Sequence, residues 1–166
     1  MENYTKNSKI YIYKWKNIPI MDEKDEKILK LLKENSKLTT QQIAKKTLVP
    51  VTTVHNRIKK LEKEGIIKRY TLELDNKKIG KSLAAFINIT VDYTLLKQIK
   101  MSQYELAKKI KQHESVEEVA MVTGGTDILI KVRAKDIDEL NNFVTIQLRN
   151  IDGIEKTQTM VILNEI

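Results

Sequence analysis

Between Val51 and Lys63 the sequence places Thr52, Asn56, Lys59, Lys60 and Lys63 along one side of a helical wheel, with Thr53, His55 and Arg57 flanking them. Val51, Val54, Ile58 and Leu61 fall on the opposite side, an apolar stripe expected to face a core. Hydroxyls, an amide and cations on one open helix face have the chemistry to meet base edges and neutralise phosphates. The same pattern also fits a solvated face, the common fate of surface lysine. A second cluster, Thr123-Gly124-Gly125-Thr126-Asp127, has the composition of a turn. In a plain hairpin the glycines supply the torsions and Asp127 bonds the backbone.

Other chemistries are poorly represented. The 166 residues contain no cysteine, which removes disulfides, thiolate metal sites and any Cys nucleophile, and suits a reducing cytoplasm. A zinc site would need both histidines, His55 and His113, plus carboxylates, so no metal and no cofactor is expected. At 41% hydrophobic residues the chain has enough apolar surface for ordinary cores. No apolar run approaches a membrane span, and the first residues lack the core of a secretory signal. Charge is distributed unevenly. Residues 1–82 carry twenty Lys and Arg against ten Asp and Glu, a net of +10, whereas 83–166 have a net of −2. A basic half joined to a near-neutral half points to a polyanionic partner for the first.

The elements that must position these residues follow from periodicity and caps. Residues 1–20 stand apart as an arm in which Lys6, Lys9, Lys14 and Lys16 interleave with Tyr4, Tyr11, Tyr13 and Trp15, and Met21 is a candidate natural start. A helix is expected from Asp22 to Glu34, with Lys24, Ile28, Leu31 and Leu32 on one flank and acidic residues in its first turn. Thr39-x-x-Gln42 has the form of a capping box opening a short helix, Thr40 to Lys46. Pro50 then breaks the chain before the helix that runs to about Lys63, and Gly65 sits where a left-handed residue would end it. Two short helices joined by a tight turn are the layout of a helix-turn-helix over 21–66. An extended linker strand follows over 67–82, where Ile66 to Leu74 alternate.

From Leu83 the rhythm changes. Strands are expected at Leu83–Val91, Glu118–Thr123, Thr126–Ala134 and Ile154–Leu163. Helices are expected after the caps Ser102-x-x-Glu105 and Asp136-x-x-Glu139, running to about Gln112 and Arg149. The order over 83–166 is β-α-β-β-α-β, the ferredoxin-like arrangement, with helices on one side of an antiparallel sheet. The other side needs a cover, and a second copy of the chain would supply it. The fold class is therefore α+β: a winged-type helix-turn-helix, an extended linker and a ferredoxin-like domain.

Several stretches, in order and at the right spacing, resemble the Lrp/AsnC family, the feast/famine transcription regulators. They are Met21-Asp22-Glu23-Lys24-Asp25-Glu26-Lys27-Ile28-Leu29-Lys30-Leu31-Leu32, then Arg57 through Ile67, Val122-Thr123-Gly124 with Asp127, and Ile151-Asp152-Gly153-Ile154. The resemblance implies a non-enzymatic, sequence-specific regulator of double-stranded DNA. It also implies dimers that assemble into tetramers or octamers, and a small-molecule effector such as an amino acid. It makes Val51–Lys63 the recognition helix. Thr52, Thr53 and Asn56 would lie at or near base edges, and His55, Arg57 and Lys59 at phosphates, with Lys60 beside them. Arg57 has an alternative role, tying its helix to a carboxylate such as Glu62 or Glu64. The family's effector loop would correspond to Thr123, Gly124, Gly125 and Asp127, the glycine N–H groups meeting a carboxylate and Asp127 an ammonium. Two departures stand out. Leu48 and Pro50 occupy a turn where the family usually has Gly and a capping Ser, and Thr126 stands where an aromatic often precedes the Asp.

Two rival readings share this architecture. Siroheme decarboxylases resemble the family in both domains, but their chemistry would call on histidines and arginines, and the second half offers only His113, Arg133 and Arg149. The other rival is an effector sensor that partners another regulator.

Overall fold

The computed structural model describes residues 21–165, and the arm read over 1–20 lies outside them. The described residues form two compact units that divide after Leu72.

The first unit is three helices, α1 (Glu23–Glu34), α2 (Thr40–Thr47) and α3 (Val51–Lys63). Local chemistry sets where two of them start. Asp22 and Asp25 form a reciprocal capping box on α1, and Thr39 and Gln42 form another on α2. Each such cap satisfies backbone donors that a helix leaves unpaired, typically ~1 kcal/mol per cap. Ile28, Ile43, Ala44, Val49 and Val54 make the core, with Leu31, Leu32, Leu38 and Ile58 packed against it. Two expectations change here. Val51 is exposed, not buried, whereas Val54 and Leu61 further along α3 are buried. On α1 the buried flank runs through Asp25 at 2% exposure, whereas Lys24 faces solvent.

The turn between α2 and α3 is unusual. Leu48 adopts φ 57°, ψ 31°, a left-handed conformation in which an L side chain crowds its own backbone. Its side chain is 92% exposed, so packing gives nothing in return. Residues 67–82, expected as a linker strand, join no ladder. Tyr70, Leu72 and Leu74 alternate in sequence, but among the described residues they pair with no strand.

The second unit is a four-stranded antiparallel sheet in the order β2-β3-β1-β4, built from β1 (Leu83–Val91), β2 (Val116–Met121), β3 (Ile128–Ala134) and β4 (Ile154–Val161). Its helices are α4 (Tyr93–Gln98), α5 (Gln103–Lys111) and α6 (Ile137–Asn142), the last continuing as a π-helical turn over Phe143–Leu148. This is the expected ferredoxin-like order with one addition. α4 is too short for a periodic signal, and Asp92 caps it by accepting from the Leu95 amide. β2 also begins earlier than expected, at Val116, with an irregularity in its pairing between Val116 and Glu118.

The inner sheet face is apolar, as the alternation requires: Ala85, Ile87, Ile89, Ile128, Ile130 and Val132 are buried with Leu106, Ile110, Phe143 and Leu148 from the helices. On the outer face Phe86 and Met160 pair across β1 and β4 and remain exposed. One end of that face holds a charge network. Arg133, 5% exposed, donates from Nε to Glu117 Oε1 at 2.6 Å and from Nη1 to Glu165 Oε2 at 2.9 Å, while Lys131 Nζ lies 2.8 Å from Glu165 Oε1. Arg133, then Lys131, hold the Glu165 carboxyl down to about 2.

Candidate nucleic-acid interface and effector hairpin

α3 has 13 residues, a rod of roughly 20 Å at the α-helical rise, narrow enough to lie in a major groove. Pro50 occupies its N-cap with no side-chain cap bond, so the first backbone N–H groups of the helix are not covered by a neighbouring side chain. Thr52, His55, Asn56, Lys59, Lys60 and Lys63 are exposed, and Thr53 and Arg57 half-buried. Lys59 and Lys63 have no carboxylate within ion-pair distance among the described residues, and Lys60 only a distant one, Glu64 at 3.9 Å. Lys68 and Arg69 extend the exposed cationic run beyond the helix.

Arg57 behaves differently from these lysines. Its Nη1 donates to Asp22 Oδ1 and to Asp25 Oδ1, both at 2.7 Å. The carboxylates that hold it are thus at the N-cap and first turn of α1, not Glu62 or Glu64 of its own stretch. The backbone amide of Asp25, then Arg57, lower the Asp22 carboxyl below its usual value, and the two aspartates raise Arg57 above its own. Asp22, Asp25, Thr53, Asn56, Arg57 and Lys60 line one open notch.

In the second unit the β2–β3 hairpin closes through Val122 N–H to the Asp127 carbonyl at 2.9 Å. Thr123, Gly124 and Gly125 are exposed at its tip, and Gly124 takes φ +125°, which disfavours a side chain there. The N–H groups of Gly124 and Gly125 bond nothing among the described residues. Each carboxylate oxygen of Asp127 accepts one bond: Oδ2 from the Val91 amide at 2.9 Å and Oδ1 from the Tyr93 hydroxyl at 2.8 Å. Gln103 Nε2 donates to the Asp127 carbonyl at 2.9 Å. Asp127 therefore ties the hairpin to β1, α4 and α5.

Comparison with known proteins decides the family. Residues 84–166 match the Lrp/AsnC ligand binding domain and 21–68 a winged helix-turn-helix DNA-binding model. The HTH-type transcriptional regulator FL11 of Pyrococcus horikoshii is 36% identical over 144 residues, which span 86% of this chain and 89% of that protein. The chain belongs to the Lrp/AsnC family.

Solved structures agree with this placement. A transcriptional regulator from Neisseria meningitidis, described as an L-Met complex, superposes with a TM-score of 0.80 at 26% identity, covering 88% of this chain and 92% of that one. LrpC of B. subtilis gives 0.74 at 27% identity over 88% of this chain and 96% of its own. This Lrp/AsnC chain is thus a helix-turn-helix transcriptional regulator with a ligand-binding domain. Reading the sequence missed Asp22 and Asp25 as partners of Arg57, and Tyr93 and Gln103 as partners of Asp127. A buried acid on an apolar flank of α1 was the available signal for the first pair. For the second pair the sequence carried none.

Proposed function

We propose that the chain regulates transcription as a homodimer or larger assembly whose α3 helices enter successive major grooves about 34 Å apart. Thr52, Thr53 and Asn56 meet base edges, and His55, Arg57, Lys59 and Lys60 meet phosphates. The observation that carries this reading is the open face of α3, where Lys59 and Lys63 lack carboxylate partners beside exposed Thr52 and Asn56. Phosphate contacts of this kind supply salt-sensitive affinity, and base contacts supply selectivity. The exposed Phe86 and Met160 on the outer sheet face are the surface a second copy would cover. A small molecule bearing a carboxylate, such as an amino acid, binds at the hairpin tip, where the Gly124 and Gly125 N–H groups are free among the described residues. The methionine complex of the Neisseria relative supports that class of ligand. Asp127, held by the Val91 amide and the Tyr93 hydroxyl, keeps its charge and further acceptor sites for an ammonium.

The decarboxylase reading has less support, since Arg133 is locked between Glu117 and Glu165 and His113 Nδ1 accepts from the Ser115 amide. Selection of bound duplexes from a random pool tests the proposal. A recovered pseudo-palindrome, with affinity falling steeply as salt rises, is the expected result. Enrichment of no sequence, with binding indifferent to salt, would overturn it.

A further inference from the structure

We propose, on the reading that α3 makes the DNA contacts, that Asp22 and Asp25 are positioning residues: they grip Arg57 by one guanidinium nitrogen and leave its other N–H edge to take a backbone phosphate beside Thr53 and Asn56. The geometry carries the argument. Both carboxylates bond Nη1. Nε and Nη2 make no hydrogen bond among the described residues, and no side-chain nitrogen or oxygen there is both buried and unpartnered, so these donors reach solvent. A guanidinium carries five donors in a rigid fork, so fixing one nitrogen sets the direction of the rest.

The anchor is itself fixed. Asp25 N–H donates to Asp22 Oδ1 at 3.0 Å and Asp22 N–H to Asp25 Oδ2 at 3.3 Å, so the two acids that hold Arg57 also cap α1. Capping accounts for the bonds to the two backbone amides but not for the ion pairs to Arg57. Asp25 is buried on the same flank as Ile28 and Leu32, and burying an ion pair there rarely gains free energy over a hydrophobic contact, so the Arg57 pairing adds little to what the cap already supplies. Long-range electrostatics is a poorer reason still, since two carboxylates at the rim of a polyanion-binding face repel the ligand. Holding a third, cationic group at a set angle accounts for both.

The opposing sign of these effects gives the test. Asp22→Asn keeps a good helix cap and nearly the same shape while removing one negative charge. If Asp22 acts only through its charge, the variant binds duplex DNA more tightly. If it positions Arg57, the variant binds a selected operator more weakly, by about fivefold to tenfold, the scale of one charge-assisted hydrogen bond. Arg57→Lys keeps the charge without the fork and should weaken binding likewise.

Operators carrying a single neutral methylphosphonate, moved one position at a time, give the second readout. Wild type should lose affinity at one phosphate per half-site that Asp22→Asn and Arg57→Lys no longer sense, while the sites sensed through Lys59 stay unchanged. Equal or tighter binding by Asp22→Asn, or an unchanged methylphosphonate profile in both variants, overturns the positioning role. The α3 reading stands in that case if Asn56→Ala still relaxes selectivity. Absence of salt-dependent binding by the wild type overturns both.

Discussion

The Tyr93 hydroxyl donates to Asp127 Oδ1 at 2.8 Å, joining the first residue of α4 to the base of the β2–β3 hairpin. Thr126 leaves that hairpin without an aromatic of its own, and a tyrosine from another element reaches the same carboxylate. Tyr93→Phe should lower stability by about 0.5–1 kcal/mol, read from urea midpoints, because an exposed hydrogen bond to a charged group is worth less than a buried one. The bond to Asp127, then burial, raises the Tyr93 hydroxyl above its usual value. The folded state therefore holds that proton more tightly than the unfolded chain does. The contribution is complete below about pH 10, the ordinary tyrosine value, and disappears as pH rises through the raised value. The difference between wild type and Tyr93→Phe should shrink over that interval.

Asn56 and Lys59 lie on one face of α3 but differ in what they can read. Asn56→Ala should cost about 1–3 kcal/mol on the selected operator and relax preference at one base pair per half-site. Lys59→Ala should weaken matched and scrambled duplexes alike and reduce the salt slope by about one. Parallel binding titrations on both duplexes at several salt concentrations check the division. Identical behaviour of the two variants would show it to be wrong.

Leu48 carries a left-handed backbone without packing to offset the strain. Leu48→Gly removes the clash between Cβ and carbonyl, and although glycine gains entropy when unfolded, the balance favours the variant by roughly 0.5–1 kcal/mol. Thermal melting should show a higher midpoint. A lower one would mean that the exposed leucine packs on something in solution.

Glu165 supplies the clearest acid response. Arg133 and then Lys131 hold its carboxyl down to about 2, against 4.5 for a free glutamate. A depressed carboxylate contributes stability that is complete above the unfolded value and is lost as pH falls towards the folded one. Wild type should thus lose stability relative to Glu165→Gln as pH drops from about 4.5 towards 2, and the two should run in parallel at neutral pH. Chemical denaturation across that range is the check.

The legible parts of the sequence were those encoded locally or by period. The boxes at Thr39–Gln42 and Ser102–Glu105 each fix a helix start within four residues, and the alternation in Leu83–Val91 sets which side of β1 is buried. The unreadable parts depend on groups distant in sequence. Arg57 meets Asp22 and Asp25 more than thirty residues away, and Tyr93 finds Asp127 at a similar separation. The cationic side of α3 was visible because a helix makes it from neighbours. The notch beside it takes a second helix, and no spacing rule predicts that. The segment 67–82 differs for the opposite reason: its alternation is real, but a strand also needs a partner, and among the described residues it has none.

On the outer sheet face Lys131, Arg133, Glu117 and Glu165 already neutralise one another, whereas Lys59 and Lys63 of α3 have no carboxylate partner among the described residues and are left for an outside anion. Dissolved ions thus have little to screen at one surface and much at the other. A heparin column eluted with a salt gradient should accordingly release the chain while the ion pairs of the outer sheet face, satisfied from within, stay closed.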